Sequence, residues 1–158
     1  MGSAYIGIDI GTTTITGLIY DLNRREVVHR ITANQASASL QGQENGERLQ
    51  DSNAIYRQSE RILKELLGLE PEIEGIGLTG QMHGIVYMNE FGDAVSPLYT
   101  WQDGRGAQLV PGENRTYAER ISELTGYRVA PGYGLVTHVY NVERGLLPEG
   151  GRSPVLNR

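Results

Sequence analysis

The sequence predicts an α/β domain with a mixed sheet flanked by helices, and three observations predict it. An antiparallel run of strand-like segments opens the chain, an amphipathic helix follows, and a further apolar strand comes after the helix.

Ala4 to Ile10 is rich in β-branched and aromatic residues and reads as the first strand; Gly11 to Thr13 make a turn, and Thr14 to Tyr20 complete a hairpin. Asp21, Leu22 and Asn23 form the next turn, and Glu26 to Ile31 return as a third strand. The polar, Gln-rich stretch 32–46 reads as a loop. From about Arg48 to Leu67 the period becomes helical. Ile55, Ile62 and Leu66 share one face, Glu60 and Lys64 form an i, i+4 pair outside, and Gly68 is placed as the stop. Glu74 to Thr79 is a strand, Gly80 to Gly84 a turn, Ile85 to Met88 a strand, and Asn89 to Asp93 a hairpin turn carrying Gly92. Helices are predicted over Ala118 to Thr125 and Leu135 to Leu147, the second stopped by Pro148 and the pair Gly150 and Gly151. No repeat or clear linker interrupts the chain, and 152–158 carry no capping signal, so the sequence reads as part of a domain.

At 158 residues there is room for one sizeable core and not for a two-lobed enzyme. The net charge is -5, with 19 acidic residues against 14 basic ones, and no basic cluster is interleaved with aromatics, so no nucleic-acid partner is expected. Cysteine is absent, which removes disulfides, thiolate catalysis and Cys-based zinc sites. No basic-then-apolar leader and no apolar run near the ~20 residues of a membrane span occur, so a cytoplasmic chain without a membrane partner is expected. The sequence carries no expectation of oligomeric state.

Three motifs carry chemistry. In the first, Asp9 ends an apolar strand and is followed by Gly11, Thr12, Thr13 and Thr14, a turn whose amides and hydroxyls suit phosphate oxygens. A carboxylate repels phosphate but can hold Mg²⁺ through water, so Asp9 is a metal-side candidate. A plain hydrogen-bonded β-turn uses the same residue types. In the second, Gln81, Met82 and His83 sit between Gly80 and Gly84, offering directional polar groups and an apolar surface suited to a sugar. A lone His on a turn is more often structural. In the third, Trp101, the only tryptophan, precedes Gln102, Asp103, Gly104 and Arg105; an indole can pack on polyol C–H groups and a carboxylate can accept from two hydroxyls. A buried Trp beside a surface turn is the alternative.

The Asp-x-Gly-Thr-Thr-Thr hairpin is similar to the phosphate-1 hairpin of the actin and sugar-kinase superfamily, and no P-loop pattern occurs. The segment 78–84 resembles the Gly-Gln-Met-His-Gly turn of xylulokinases and sedoheptulokinases in the FGGY carbohydrate kinase family. Segment 101–105 resembles that family's Trp-x-Asp-x-Arg, in the form associated with sedoheptulokinases. Thr125, Gly126 and 132–138 look like its Thr-Gly loop and following helix. In glycerol kinases an aromatic in this stretch contacts substrate; Gly132 and Tyr133 straddle that position and neither is carried over, while His138 reads as packing on the helix.

The resemblance implies a ribonuclease-H-like fold of the actin-like ATPase and sugar-kinase superfamily, with residues 1–158 a partial N-terminal kinase lobe and the C-terminal lobe absent. It implies ATP and Mg²⁺ as cofactors, Asp9 holding Mg²⁺ through water, and Gly11, Thr12, Thr13 and Thr14 facing the phosphates. It implies a small-molecule sugar substrate held by Gln81, Met82, His83, Trp101 and Asp103, sedoheptulose first and xylulose second. The general base is expected beyond Arg158 and the adenosine-binding glycines in the other lobe, so no catalytic residue is placed in this chain and the chain alone is expected to be inactive. A non-catalytic sugar-binding or regulatory remnant, and an actin-like ATPase of other function, are the alternatives.

Overall fold

A computed structural model describes residues 3–42, 46–70, 72–150 and 153–156, the last four by backbone alone. In chain order the elements are β1 (Ala4–Ile10), β2 (Thr14–Asp21), β3 (Glu26–Asn34), β4 (Ser39–Leu40), β5 (Leu49–Gln50), α1 (Ser52–Leu69), β6 (Ile73–Gly80), β7 (Ile85–Met88), β8 (Leu98–Tyr99), α2 (Tyr117–Thr125), α3 (Gly134–Glu143) and β9 (Ser153–Leu156). They fall into two compact units, Met1–Ala38 with Asn53–Gln81, and Ser39–Ser52 with Met82–Arg158.

The first unit holds a mixed sheet in the order β3-β2-β1-β6. β1 and β2, and β2 and β3, are antiparallel; β6 runs parallel to β1, with Ile8 opposite Leu78 and Ile10 opposite Gly80. Alternation along the strands sends Ala4, Ile6, Ile8, Ile15 and Ile19 inward, and α1 meets them with Ile55, Ile62 and Leu66. The helix lies so close to β2 that a Cβ on Gly17 would sit 2.5 Å from Ile62 Cγ2 and 2.7 Å from Leu66 Cδ1. Glycine is therefore required there for approach, and the reward is complete burial of both helix side chains. Truncating either to Ala would cost about 2–5 kcal/mol.

The predicted strands and helix are present, with shifted limits. β3 continues to Asn34, into the expected loop, which also contains a short 3₁₀ turn over Ala36–Ala38 and β4. α1 starts at Ser52 rather than near Arg48 because Leu49 and Gln50 are engaged in pairing with β4 and β8. It runs through Gly68 to Leu69, so that glycine is not the stop. Residues 43–45 of the expected loop lie outside the described residues, as do Gly151, Arg152, Asn157 and Arg158.

The second unit holds an antiparallel sheet in the order β4-β5-β8-β7-β9. Ile85, Tyr87 and Tyr99 are buried against Leu49 and Val95, and a second cluster joins Val110, Tyr117, Ala118, Ile121, Val136 and Tyr140. α2 starts in a reciprocal cap: Thr116 Oγ1 accepts from Glu119 N at 3.2 Å, and Thr116 N donates to Glu119 Oε2 at 2.7 Å. It ends at left-handed Gly126. α3 stops at Glu143, short of the predicted Leu147. Arg144 N donates to Tyr140 O, and Gly145 turns the chain with φ 66°. The left-handed glycine, not Pro148, ends the helix.

Candidate functional site

In the first unit, the turn joining β1 to β2 is closed by Gly11 N donating to Thr14 O at 2.9 Å. A Cβ on Gly11 would lie 3.0 Å from that same oxygen, which accounts for glycine at the tightest point. Glutamines brace the turn on either side. Thr12 Oγ1 donates to Gln81 Oε1 at 3.0 Å, while Gln81 N donates to Ile10 O at 2.8 Å. Gln35 N donates to Thr13 O at 2.8 Å, and Gln35 Nε2 donates to Gly11 O. Gln81, expected on the sugar side, is thus attached to the threonine turn. The register that pairs Ile10 with Gly80 puts it there. Gln35 fell within a stretch read as loop, and no local pattern marks it.

Gly17 faces α1, so its neighbours Thr16 and Leu18 face the other way, and their partners Asp9 and Gly7 share that face. Asp9 is exposed there on a groove of about 530 Å³ lined also by Gly77 and Thr79. Among the described residues no group of three or more His, Cys, Asp or Glu could hold a metal ion. Mg²⁺ keeps several waters and takes one or two carboxylates with phosphate oxygens rather than an all-protein cage. Asp9 beside a hydroxyl-bearing turn therefore fits a magnesium shared with a polyphosphate.

In the second unit, the segment after Gln81 turns through His83, which adopts a left-handed φ of 64°. Gly80 and Gly84 bound the expected turn, and neither takes a positive φ. Both are instead sites of close approach, a Cβ on Gly80 lying 3.0 Å from Ile10 O and one on Gly84 lying 3.0 Å from Tyr99 O. The His83 ring stacks on Tyr133, with centroids 4.3 Å apart and planes 8° apart. Tyr133 in turn follows Gly132, whose Cβ would sit 1.7 Å from Trp101 O, so backbone packs on backbone. His83, Tyr133 and Trp101 are held together by these two contacts. Met82 and Trp101 leave about half their surface exposed, 54% and 49%. Tyr133, which with Gly132 straddles the aromatic position noted for glycerol kinases and is not carried over from the sequence as a site residue, is the residue the structure adds.

Asp103 is placed differently from the expectation that it grips a sugar. It is 1% exposed, and both oxygens are engaged. Oδ1 accepts from Arg105 N at 3.1 Å and Arg105 Nε at 2.7 Å, and Oδ2 from Arg48 N at 3.1 Å and Arg105 Nη2 at 3.3 Å. Arg105 is itself buried, donating also to Glu47 Oε1 at 3.0 Å and Asn141 Oδ1 at 2.6 Å, with its guanidinium 4.3 Å from the Tyr99 ring centroid. Burial opposes the charge on Arg105, but the hydrogen bond and charge of Asp103, with Tyr99 and Glu47, outweigh it and hold the guanidinium above its ordinary value. Asn141 Nδ2 continues the network to Tyr87 OH at 3.2 Å, which lies 3.1 Å from His138 Nδ1. His138 thus joins a buried network instead of merely packing on its helix.

The fold belongs to the actin-like ATPase class, in which sugar kinases are found. A gluconate kinase from Lactobacillus acidophilus superposes with a TM-score of 0.75 at 22% identity, covering 92% of this chain and 29% of that one. A ligand-bound xylulose kinase from the same organism gives 0.74 at 23% identity, covering 90% and 29%. Residues 4–139 match the N-terminal domain of the FGGY family of carbohydrate kinases, and the chain belongs to that family. Curated relatives include a xylulose kinase of Staphylococcus xylosus, 28% identical over 82% of this chain and 27% of its own length. A glycerol kinase of Acinetobacter baylyi is also 28% identical, over 82% and 26%. The chain spans about a quarter of the length of the curated relatives it matches.

Proposed function

We propose that the whole protein transfers the γ-phosphoryl group of MgATP to a terminal hydroxyl of a ketose, with this chain supplying a phosphate turn and part of a sugar site. The observation that carries the reading is the stacked pair His83 and Tyr133 held beside Trp101. Polar heteroatoms and flat apolar surfaces, set on a backbone with an uncommon left-handed residue, form the mixed surface that polyols need.

When bound, MgATP supplies the transferred group and the metal that neutralises its charge. Asp9 would hold the metal through water, and Gly11, Thr12, Thr13 and Thr14 would meet phosphate oxygens through amides and hydroxyls. Met82, His83, Trp101 and Tyr133 would hold the sugar. Asp103 acts through Arg105 to fix the Trp101 segment, and being buried and bonded at each oxygen it is unsuited to accept the hydroxyl proton. That role is assigned to an Asp beyond Arg158, further along the same lobe. Xylulose kinases among the relatives favour xylulose, and the segment 101–105 favours sedoheptulose.

Sugar-dependent ADP formation by the full-length protein, compared across xylulose, sedoheptulose, ribulose and glycerol, tests the reading. One of the first two should show the highest kcat/KM. Absence of turnover with every sugar would remove it in favour of a binding or regulatory role.

A further inference from the structure

We propose that Gln35 is a positioning residue for the phosphate turn, an inference that rests on the function proposed above. Its side chain lies just after β3, is 3% exposed, and spends its only donor group, Nε2, on the carbonyl of Gly11. Its Oε1 is buried and finds no hydrogen-bond partner among the described residues. A buried acceptor left unpaired opposes folding, and the opposite amide orientation would set two oxygens face to face at Gly11. The arrangement is therefore governed by the Gly11 carbonyl.

That carbonyl matters because a trans peptide is planar. With Gly11 C=O drawn toward Gln35, the amide N–H of Thr12 is turned to the opposite side of the same plane. Gln35 N fixes the next carbonyl but one, donating to Thr13 O, so one residue sets the tilt of two of the three peptide planes that carry the turn. Phosphate-binding turns work by pre-aimed amides, and a plane that swings freely must be ordered again at each binding event. Gln35 touches neither reactant in this assignment and acts through Gly11 and Thr13.

The test uses Gln35→Met, which keeps the length, removes the donor and also removes the unpaired oxygen, so the fold is spared. Gln35→Leu, which likewise removes both the donor and the unpaired oxygen, is the second variant should the first fold poorly. Magnesium tripolyphosphate is titrated into the full-length protein while the amide resonances of Gly11 to Thr14 are followed. The wild-type resonances should shift on binding, and each variant should bind about tenfold more weakly with the Thr12 amide displaced even before ligand is added. In the sugar-dependent assay the KM for MgATP should rise while the sugar KM stays put. Unchanged tripolyphosphate affinity and an unmoved Thr12 amide in a folded variant would overturn the proposal, as would a wild-type turn that does not respond to tripolyphosphate. A wild-type protein that phosphorylates no sugar would defeat the proposed function alone, since the tripolyphosphate comparison still decides the role of Gln35.

Discussion

The imidazole of His83 lies flat on the ring of Tyr133, 4.3 Å between centroids, and the same histidine holds a left-handed backbone at φ 64°. For a non-glycine residue that conformation costs roughly 1–2 kcal/mol. An aromatic stack returns about 0.5–1.5 kcal/mol, so the turn is nearly balanced and depends on its partner ring. Tyr133→Ala in the full-length protein should raise the sugar KM about tenfold and leave the MgATP KM within about twofold. Tyr133→Phe keeps the stacking ring and should retain most of the affinity. Steady-state kinetics on both substrates reads the difference, and an unaffected sugar KM in the alanine variant would detach Tyr133 from the site.

Asp103 and Arg105 form a buried pair; removing Arg105 strands the Asp103 carboxylate in a dry interior, and removing Asp103 leaves the guanidinium with Glu47 as its remaining charged partner among the described residues. Breaking such a pair costs about 3–5 kcal/mol. Asp103→Ala and Arg105→Met should each lower the urea midpoint strongly and loosen Trp101, seen as a shift of its fluorescence emission. A direct sugar contact would instead raise the sugar KM with little loss of stability. The two roles separate in one pair of measurements.

The motifs were legible where chemistry and backbone demand coincide. Asp9, Gly11 and the threonines announce a turn because apolar strands flank them, and the helical period of Ile55, Ile62 and Leu66 fixes the face that packs on Gly17. What stayed hidden depends on partners distant in sequence. β4, β5 and β8 are two residues each, too short for a period, and exist only because Leu49 pairs with both Leu40 and Tyr99. Gln35 lies 24 positions from the carbonyl it holds, and Arg105 lies 58 from Glu47. Asp103 read as an exposed ligand because its motif places it beside Trp101; the neighbouring arginine that encloses it was visible, but not the burial of both.

The reciprocal cap of α2 has a pH signature. Hydrogen bonds from the backbone and then the side chain of Thr116 hold the Glu119 carboxyl below its ordinary value. Because the folded value lies below the unfolded one, near ~4.3, the stabilisation is present above that range and is lost as pH falls through the folded value. Thr116→Ala and Glu119→Gln should each lower the thermal midpoint at neutral pH. The gap between Glu119→Gln and wild type should close as the pH drops below about 4. A gap that persists in acid would mean that packing, not the ionised cap, sets the end of the helix.

Gly132 is the contact through which the Tyr133 segment meets Trp101, and the obstacle to any side chain there is backbone. A Cβ would lie 1.7 Å from Trp101 O and 2.4 Å from its carbonyl carbon, distances that no rotamer change relieves. Gly132→Ala must therefore separate the two segments. By contrast, a Cβ on Gly126 meets nothing within 4 Å among the described residues, but its φ of 73° disfavours any side chain for conformational reasons alone. The two substitutions thus compare a steric wedge inside the aromatic cluster with backbone strain at the end of α2. Gly126→Ala should lower the thermal midpoint and leave the sugar KM unchanged. Gly132→Ala should raise the sugar KM by about tenfold or more and shift Trp101 emission. If both variants lose stability yet bind sugar alike, the contact between Gly132 and Trp101 serves folding only, and the sugar surface must be sought elsewhere in the second unit.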